Sequence, residues 1–264
     1  MHNRDLAQKL LYDQSNVVFP LPKADEVQAD VEAMLKSFSL YEMRRYYKQR
    51  YWEKETTDAE YSDRIEQGLK LENVAAHSWH VCDLVMLFGA HFDNLCLERS
   101  VMMAVLHDKL EIFVGDWDPL DVDESGNGGH AFDRDAQQKK RMREESALIE
   151  YTKRINTGAG KLQKRLIEEY AEGSTLEARF VKSIDKIQAL AYIYAKKEGN
   201  IPNEQLSFIL RYTSQTVRNF PGLIAHYRNL VDRIIISVSQ YRCVNKADLE
   251  SELFSQLELD LREQ

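Results

Sequence analysis

The chain is predicted to be all-α, and three observations point there. Breakers are scarce, with 5 Pro and 11 Gly in 264 residues. Good helix formers (Leu, Ala, Glu, Lys, Arg) are abundant. Apolar residues recur at three- and four-residue steps over most of the length. A hydrophobic fraction of 44% beside 30% charged residues supports a buried core, in one large domain or two small ones.

Residues 1–22 read as an arm ending in Pro20-Leu-Pro22. A helix is expected from Asp25 to Lys54, with Val27, Val31, Met34, Leu35 and Phe38 in helical register. Residues 55–71 are polar and read as irregular or partly helical. The next helix should run from Val74 to His91, carrying His77 in its first turns. Another is expected from Glu98 to Val114, stopped by Gly115, since glycine tolerates the left-handed backbone that ends helices. Residues 118–135 hold Pro119, three glycines and many acids, and read as a loop. Helices should resume over Gln137–Asn156, Gly160–Glu172, Leu176–Lys197 and Asn203–Ser239, the last broken at Pro221-Gly222. The tail from Lys246 to Arg262 spaces Leu249, Leu253, Leu257 and Leu261 at four-residue steps. That stripe suits packing on its own domain or on a second subunit. The corresponding division is 1–59 for the arm and first helix, 60–240 for the core, and 241–264 for the acidic tail helix.

Charge and cysteine content narrow the function. A net charge of -8 argues against general binding of nucleic-acid backbones, which reward dense Lys and Arg. It leaves room for small phosphorylated substrates if a metal supplies local positive charge. The three cysteines, Cys82, Cys96 and Cys243, are widely spaced and form no paired motif, as in a reducing compartment. No long uncharged apolar run occurs, so no membrane segment is expected and the predicted setting is cytoplasmic.

The run Val101-Met-Met-Ala-Val-Leu-His107-Asp108-Lys-Leu-Glu111-Ile-Phe-Val114 places an imidazole and a carboxylate side by side in apolar surroundings. Neutral imidazole and carboxylate are good ligands for a divalent metal. Neighbours on a helix point about 100° apart, so a metal above their seam is within reach of both. His77 upstream and Asp185 downstream would complete a two-His, two-Asp set. Such a set suits Mn, Co, Zn, Fe or Ni and leaves positions open for water and substrate. The alternative is a core histidine satisfied by its neighbour.

Four blocks stand in order: Glu72-Asn-Val-Ala-Ala-His77-Ser78, His107-Asp-Lys-Leu-Glu111, Val114-Gly-Asp116, and Glu177-Ala-Arg-Phe-Val-Lys-Ser-Ile-Asp185. Together with Lys139-Lys-Arg-Met-Arg-Glu-Glu-Ser-Ala147, they resemble the HD-domain 5′-deoxynucleotidase family over about residues 60–235. The resemblance implies an HD-domain helical bundle with added N-terminal and C-terminal helices. It implies one divalent metal on His77, His107, Asp108 and Asp185, a catalytic carboxylate at Glu111, and a catalytic, substrate-proximal carboxylate at Asp116. The implied substrate is a (deoxy)nucleoside monophosphate. The rivals are a nucleoside triphosphate or other small phosphate ester, and a non-catalytic nucleotide-binding or scaffold module. A homo-oligomer is also implied.

The family carries an Arg closely followed by Trp before the first metal histidine. Here the nearest candidate for substrate binding is Arg64, followed by Ile; Trp79 or Trp117 would replace the aromatic wall. His80 is expected to pack between helices or to support the site from behind, not to ligate the metal. His130 is the one further histidine between the His-Asp pair and Asp185. It would matter if the centre held two irons, as in HD-domain oxygenases, although Glu111 favours hydrolysis.

Overall fold

The structure is a computed structural model that describes residues 23–46, 52, 71–120, 129–155 and 158–262. Among these the fold is all-α: α1 (Ala24–Ser37), α2 (Ser39–Glu42), α3 (Val74–Gly89), α4 (Leu97–Leu106), α5 (Glu111–Val114), α6 (Arg134–Arg154), α7 (Gly158–Glu172), α8 (Leu176–Lys197), α9 (Asn203–Val217), α10 (Ile224–Arg242) and α11 (Lys246–Arg262). A short 3-10 turn at Pro221–Leu223 joins α9 to α10. The extended pairing among the described residues is one isolated bridge, Arg44 with Asn73.

Helix α8 is the hub. Its Phe180, Val181, Ile184 and Leu190 are fully buried. Its N-terminal half shares a core with Val81 and Val85 of α3, Met103 and Ala104 of α4, and Leu166 of α7. Its C-terminal half shares a second core with Leu206 of α9, Ile234 and Val238 of α10, and Leu249 and Leu253 of α11. The tail helix therefore packs on its own chain; the side chains of Leu257 and Leu261 lie outside the described set. A third, small cluster of Leu40, Val74 and Ile112 pins α2 against α3 and α5.

Local chemistry sets the helix starts. The side chains of Asn73, Asp133 and Thr175 accept hydrogen bonds from Ala76, Ala136 and Ala178 N, capping α3, α6 and α8. The first of these caps fixes where His77 points.

Two expected helices are corrected. The one predicted for Asp25–Lys54 is interrupted at Phe38 and again after Glu42, where Met43 turns extended and the chain pairs with the start of α3; Trp52 is helical again. In that pairing Arg45 N donates to Glu72 O at 2.8 Å and Val74 N to Met43 O at 3.0 Å. The one predicted for Glu98–Val114 is two pieces. Between them Lys109 N bonds Leu106 O and Glu111 N bonds Asp108 O, at 3.0 and 3.1 Å, which tightens the chain into i→i−3 turns. His107 and Asp108 thus sit in a break between α4 and α5, not along one regular helix.

Candidate metal centre

His77 comes from the first turns of α3, His107 and Asp108 from the turn after α4, and Asp185 from the middle of α8. The structure gathers His77, His107 and Asp185 into one group and sets Asp108 against both imidazoles. His77 Nε2 lies 3.2 Å from His107 Nε2, 3.1 Å from Asp185 Oδ1 and 3.5 Å from Asp108 Oδ2. His107 Nε2 is 3.1 Å from the same Asp108 oxygen. Metal–ligand bonds of about 2.1 Å set ligand-to-ligand edges near ~3.0 Å in an octahedron and ~3.4 Å in a tetrahedron. The observed separations fall in or beside that range.

The tautomers make the same point. His107 Nδ1 donates to Ala104 O at 2.8 Å, and His77 Nδ1 donates to Gln188 Oε1 at 2.7 Å. With both Nδ1 atoms used as donors, each neutral ring turns a lone pair toward the other. Two lone pairs at hydrogen-bond distance repel, so a proton on one ring or a metal ion must lie between them. Burial and Arg45 pull His77 down, but hydrogen bonds to Asp185 and Glu72 win and raise it to about 9. For Asp108, burial is outweighed by His107, His77 and Arg45, and its carboxyl sits well below the usual range. The site favours positive charge, and its donors fit a divalent metal.

Glu72, fully buried, anchors the rear of the site. Gln188 Nε2 donates to its Oε1 at 2.6 Å, His80 Nδ1 lies 3.2 Å from the same oxygen, and Arg45 Nε is 3.6 Å from Oε2. His80 therefore supports the site from behind. Trp79 lies on the surface beside His80. Lys186 pairs with Asp185 Oδ2 at 2.9 Å, leaving Oδ1 for the cluster.

Glu111 opens α5. Burial first, then the charges of Asp108 and Asp116, push its carboxyl well above the usual range. Its Oε2 is buried without a hydrogen-bond partner. Asp116 follows Gly115, whose φ of 74° is open to glycine at little cost. Its carboxyl is raised by burial and Asp108, against the pull of Arg45.

Two of the expected assignments meet a different outcome. Arg64 lies outside the described residues. Among the described ones, Arg45 is the guanidinium at the site, with Nη1 3.3 Å from Asp108 Oδ2. Its neighbour Tyr46 stacks on Tyr192 at 5.4 Å and tilts against Trp52. Arg45-Tyr46 is an arginine followed by an aromatic, a pairing too common to single Arg45 out from the sequence. His130 does not join the cluster: its Nε2 donates to Trp117 O at 2.9 Å, and the described His/Asp group holds His77, His107 and Asp185. That removes the extra ligand an oxygenase centre would need. Glu72, Gln188 and Lys186 were not anticipated in these roles.

The chain is 30% identical over 129 residues to the 5′-deoxynucleotidase hdd1 of Schizosaccharomyces pombe, covering 47% of this chain and 58% of that one. It is 29% identical over 119 residues to the 5′-deoxynucleotidase HDDC2 of Homo sapiens, covering 45% and 52%. The match therefore spans little more than half the length of these relatives. A predicted metal-dependent phosphohydrolase of Magnetospirillum magnetotacticum has a similar fold, with a TM-score of 0.55 at 20% identity over 81% of this chain and 97% of that one. The family model of the HD domain matches residues 62–222. With more than half of its residues matched by that model, the chain belongs to the HD-domain family.

Proposed function

We propose that the chain removes the 5′-phosphate of nucleoside monophosphates, deoxyribonucleotides foremost, at one divalent metal held by His77, His107, Asp108 and Asp185. One observation supports the reading: His77 Nε2 has the His107 imidazole, an Asp185 oxygen and an Asp108 oxygen at 3.1–3.5 Å, and the same Asp108 oxygen lies 3.1 Å from His107, with an unpartnered buried carboxylate and a guanidinium in the same region. The N/O donor set suits Mn, Co, Zn, Fe or Ni. When bound, the metal lowers the pKa of water and neutralises phosphoryl oxygens.

The residues divide the remaining work. Gln188 and the Ala104 carbonyl hold the two imidazoles in the tautomer that ligates. Arg45, backed by Glu72, offers its fork to the phosphate; Arg64 is the further candidate for that contact. Glu111 accepts the proton of the attacking water and returns it to the leaving 5′-oxygen, which its raised carboxyl suits. Asp116 lies on the sugar side, where a carboxylate distinguishes deoxyribose from ribose by hydrogen bonding. The matched relatives are named 5′-deoxynucleotidases, which supports the substrate class. No described helix is long and apolar enough to cross a membrane; a cytoplasmic homo-oligomer completes the proposal.

The test is to strip the protein of metal, reload it with Mn, Co, Zn or Mg, and offer dAMP, AMP and dATP. Phosphate release from dAMP exceeding that from AMP is the expected result. Pyrophosphate or triphosphate release from dATP as the main activity would move the chain to a triphosphate hydrolase. Nucleotide binding without turnover at any metal would make it a binding module.

A further inference from the structure

Residues 115–118, which carry Asp116, leave the helix at Gly115, whose N still donates to Glu111 O at 2.8 Å, and run on without helical structure. Contacts from neighbouring elements hold this segment. Arg143 of α6 donates to Val114 O at 3.1 Å and lays its guanidinium 5.0 Å from the centre of the Trp117 ring. Ala131 N donates to Pro119 O at 3.3 Å. Between these two points, His130 Nε2 donates to Trp117 O at 2.9 Å.

His130 is itself tethered. Two residues on, Phe132 packs edge-on to Phe208 and Tyr212 of α9, under the guanidinium of Arg211 at 3.9 Å. Burial, then the charge of Lys140, lowers its imidazole to about 4. The ring is therefore neutral at working pH, with its proton committed to the Trp117 carbonyl. A line of contacts runs from α9 through Phe132 and His130 to the Trp117–Asp118 peptide, one residue past Asp116.

We propose that His130 is a positioning residue: it fixes the Trp117–Asp118 peptide, one residue past Asp116, and through it sets where the Asp116 carboxylate meets the sugar. The inference rests on the nucleotidase reading for its functional half. Its structural half, the hold on residues 115–118, stands without any substrate.

The test compares H130F, which keeps a ring and removes the donor, with H130Q, which restores an N–H donor. Steady-state kinetics on dAMP and AMP are paired with hydrogen exchange of the peptide covering 112–120. In H130F, exchange of that peptide should quicken, and the KM for dAMP should rise about 3- to 10-fold, the size of one hydrogen bond. The preference for dAMP over AMP should narrow, with the change falling on KM rather than kcat. H130Q should recover most of both. Unchanged exchange in a folded H130F protein would overturn the hold on the turn. A fall in kcat and melting temperature, with the dAMP/AMP ratio intact, would reduce His130 to a scaffold residue. If the wild-type protein cleaves no nucleoside monophosphate, the substrate reading fails, and the exchange comparison still decides the structural half.

Discussion

Replacing Glu111 by Gln should damage catalysis and strengthen the fold at once. The side chain is buried, its Oε2 has no hydrogen-bond partner, and Asp108 and Asp116 add like charge. A proton acceptor of this kind is worth roughly 10²–10⁴-fold in turnover. In the metal-free protein the same carboxyl is a liability. Its folded pKa lies above its ordinary 4.5, so above that pH the unfolded chain releases a proton that the folded chain keeps. Stability from this group is therefore lost as pH rises through the window above 4.5. Asp185 and Glu72 have lowered carboxyls and give the opposite slope in both proteins, whereas Asp108 and Asp116, which repel Glu111, are relieved in E111Q and add to its gain at high pH. Urea unfolding in chelator should show E111Q and wild type nearly equal at pH 4 and E111Q ahead by ~0.5–2 kcal/mol at pH 8, the usual gain from relaxing a functional site. Turnover of the metal-loaded protein supplies the other half. An E111Q protein that is less stable at pH 8, or one that turns over normally with full metal, would refute the reasoning.

Arg45→Met removes a charge that at ~4 Å and an effective dielectric near 20 is worth about 4 kcal/mol to a phosphate. Part of that is returned by relieved repulsion with the metal, so kcat/KM on dAMP should fall about 10²–10³-fold; R45K, which keeps a point charge and loses the fork, should fall less. Inhibition by inorganic phosphate should weaken in parallel. Gln188→Leu frees His77 Nδ1 and should cost about 10–100-fold in metal affinity, read by competition with a chromogenic chelator. Leu249→Ala, deep in the second core, should cost ~2–5 kcal/mol in urea unfolding with metal content unchanged; a neutral result would mean that the tail helix is only loosely applied.

Much of this was legible in the sequence because polar residues inside apolar runs are costly and stand out. His77, His107-Asp108 and Asp185 do so, and the structure gathers them. The span Leu176–Lys197 was readable to the residue, since Thr175 caps its start and Glu198 adopts a left-handed backbone at its end. The break at His107 was not readable. No Gly or Pro marks it, and the apolar pattern runs straight through, because residues on both sides face the same core. Arg45 was hidden for a different reason. It sits where a backbone pairing between Arg44 and Asn73 replaces the helix, and no local pattern announces a partner so far along the chain. Glu72 and Gln188 read as ordinary helix-start and helix-face residues until Arg45, His77 and His80 surround them.

The placement of Arg45 bears on how the molecule can be divided. The matched HD domain begins at residue 62, yet the guanidinium beside Asp108 is delivered by the peptide that follows α2, which Leu40 anchors to Val74 and Ile112. A fragment cut at the domain border would keep every imidazole and carboxylate of the cluster and lose the cation facing it. On the proposed roles, a truncation at that border removes Arg45 and leaves Arg64 as the remaining candidate for the phosphate contact, so metal binding and phosphate binding in the fragment 62–222 tell the two arginines apart. Glu72 would then be buried without the guanidinium that faces it.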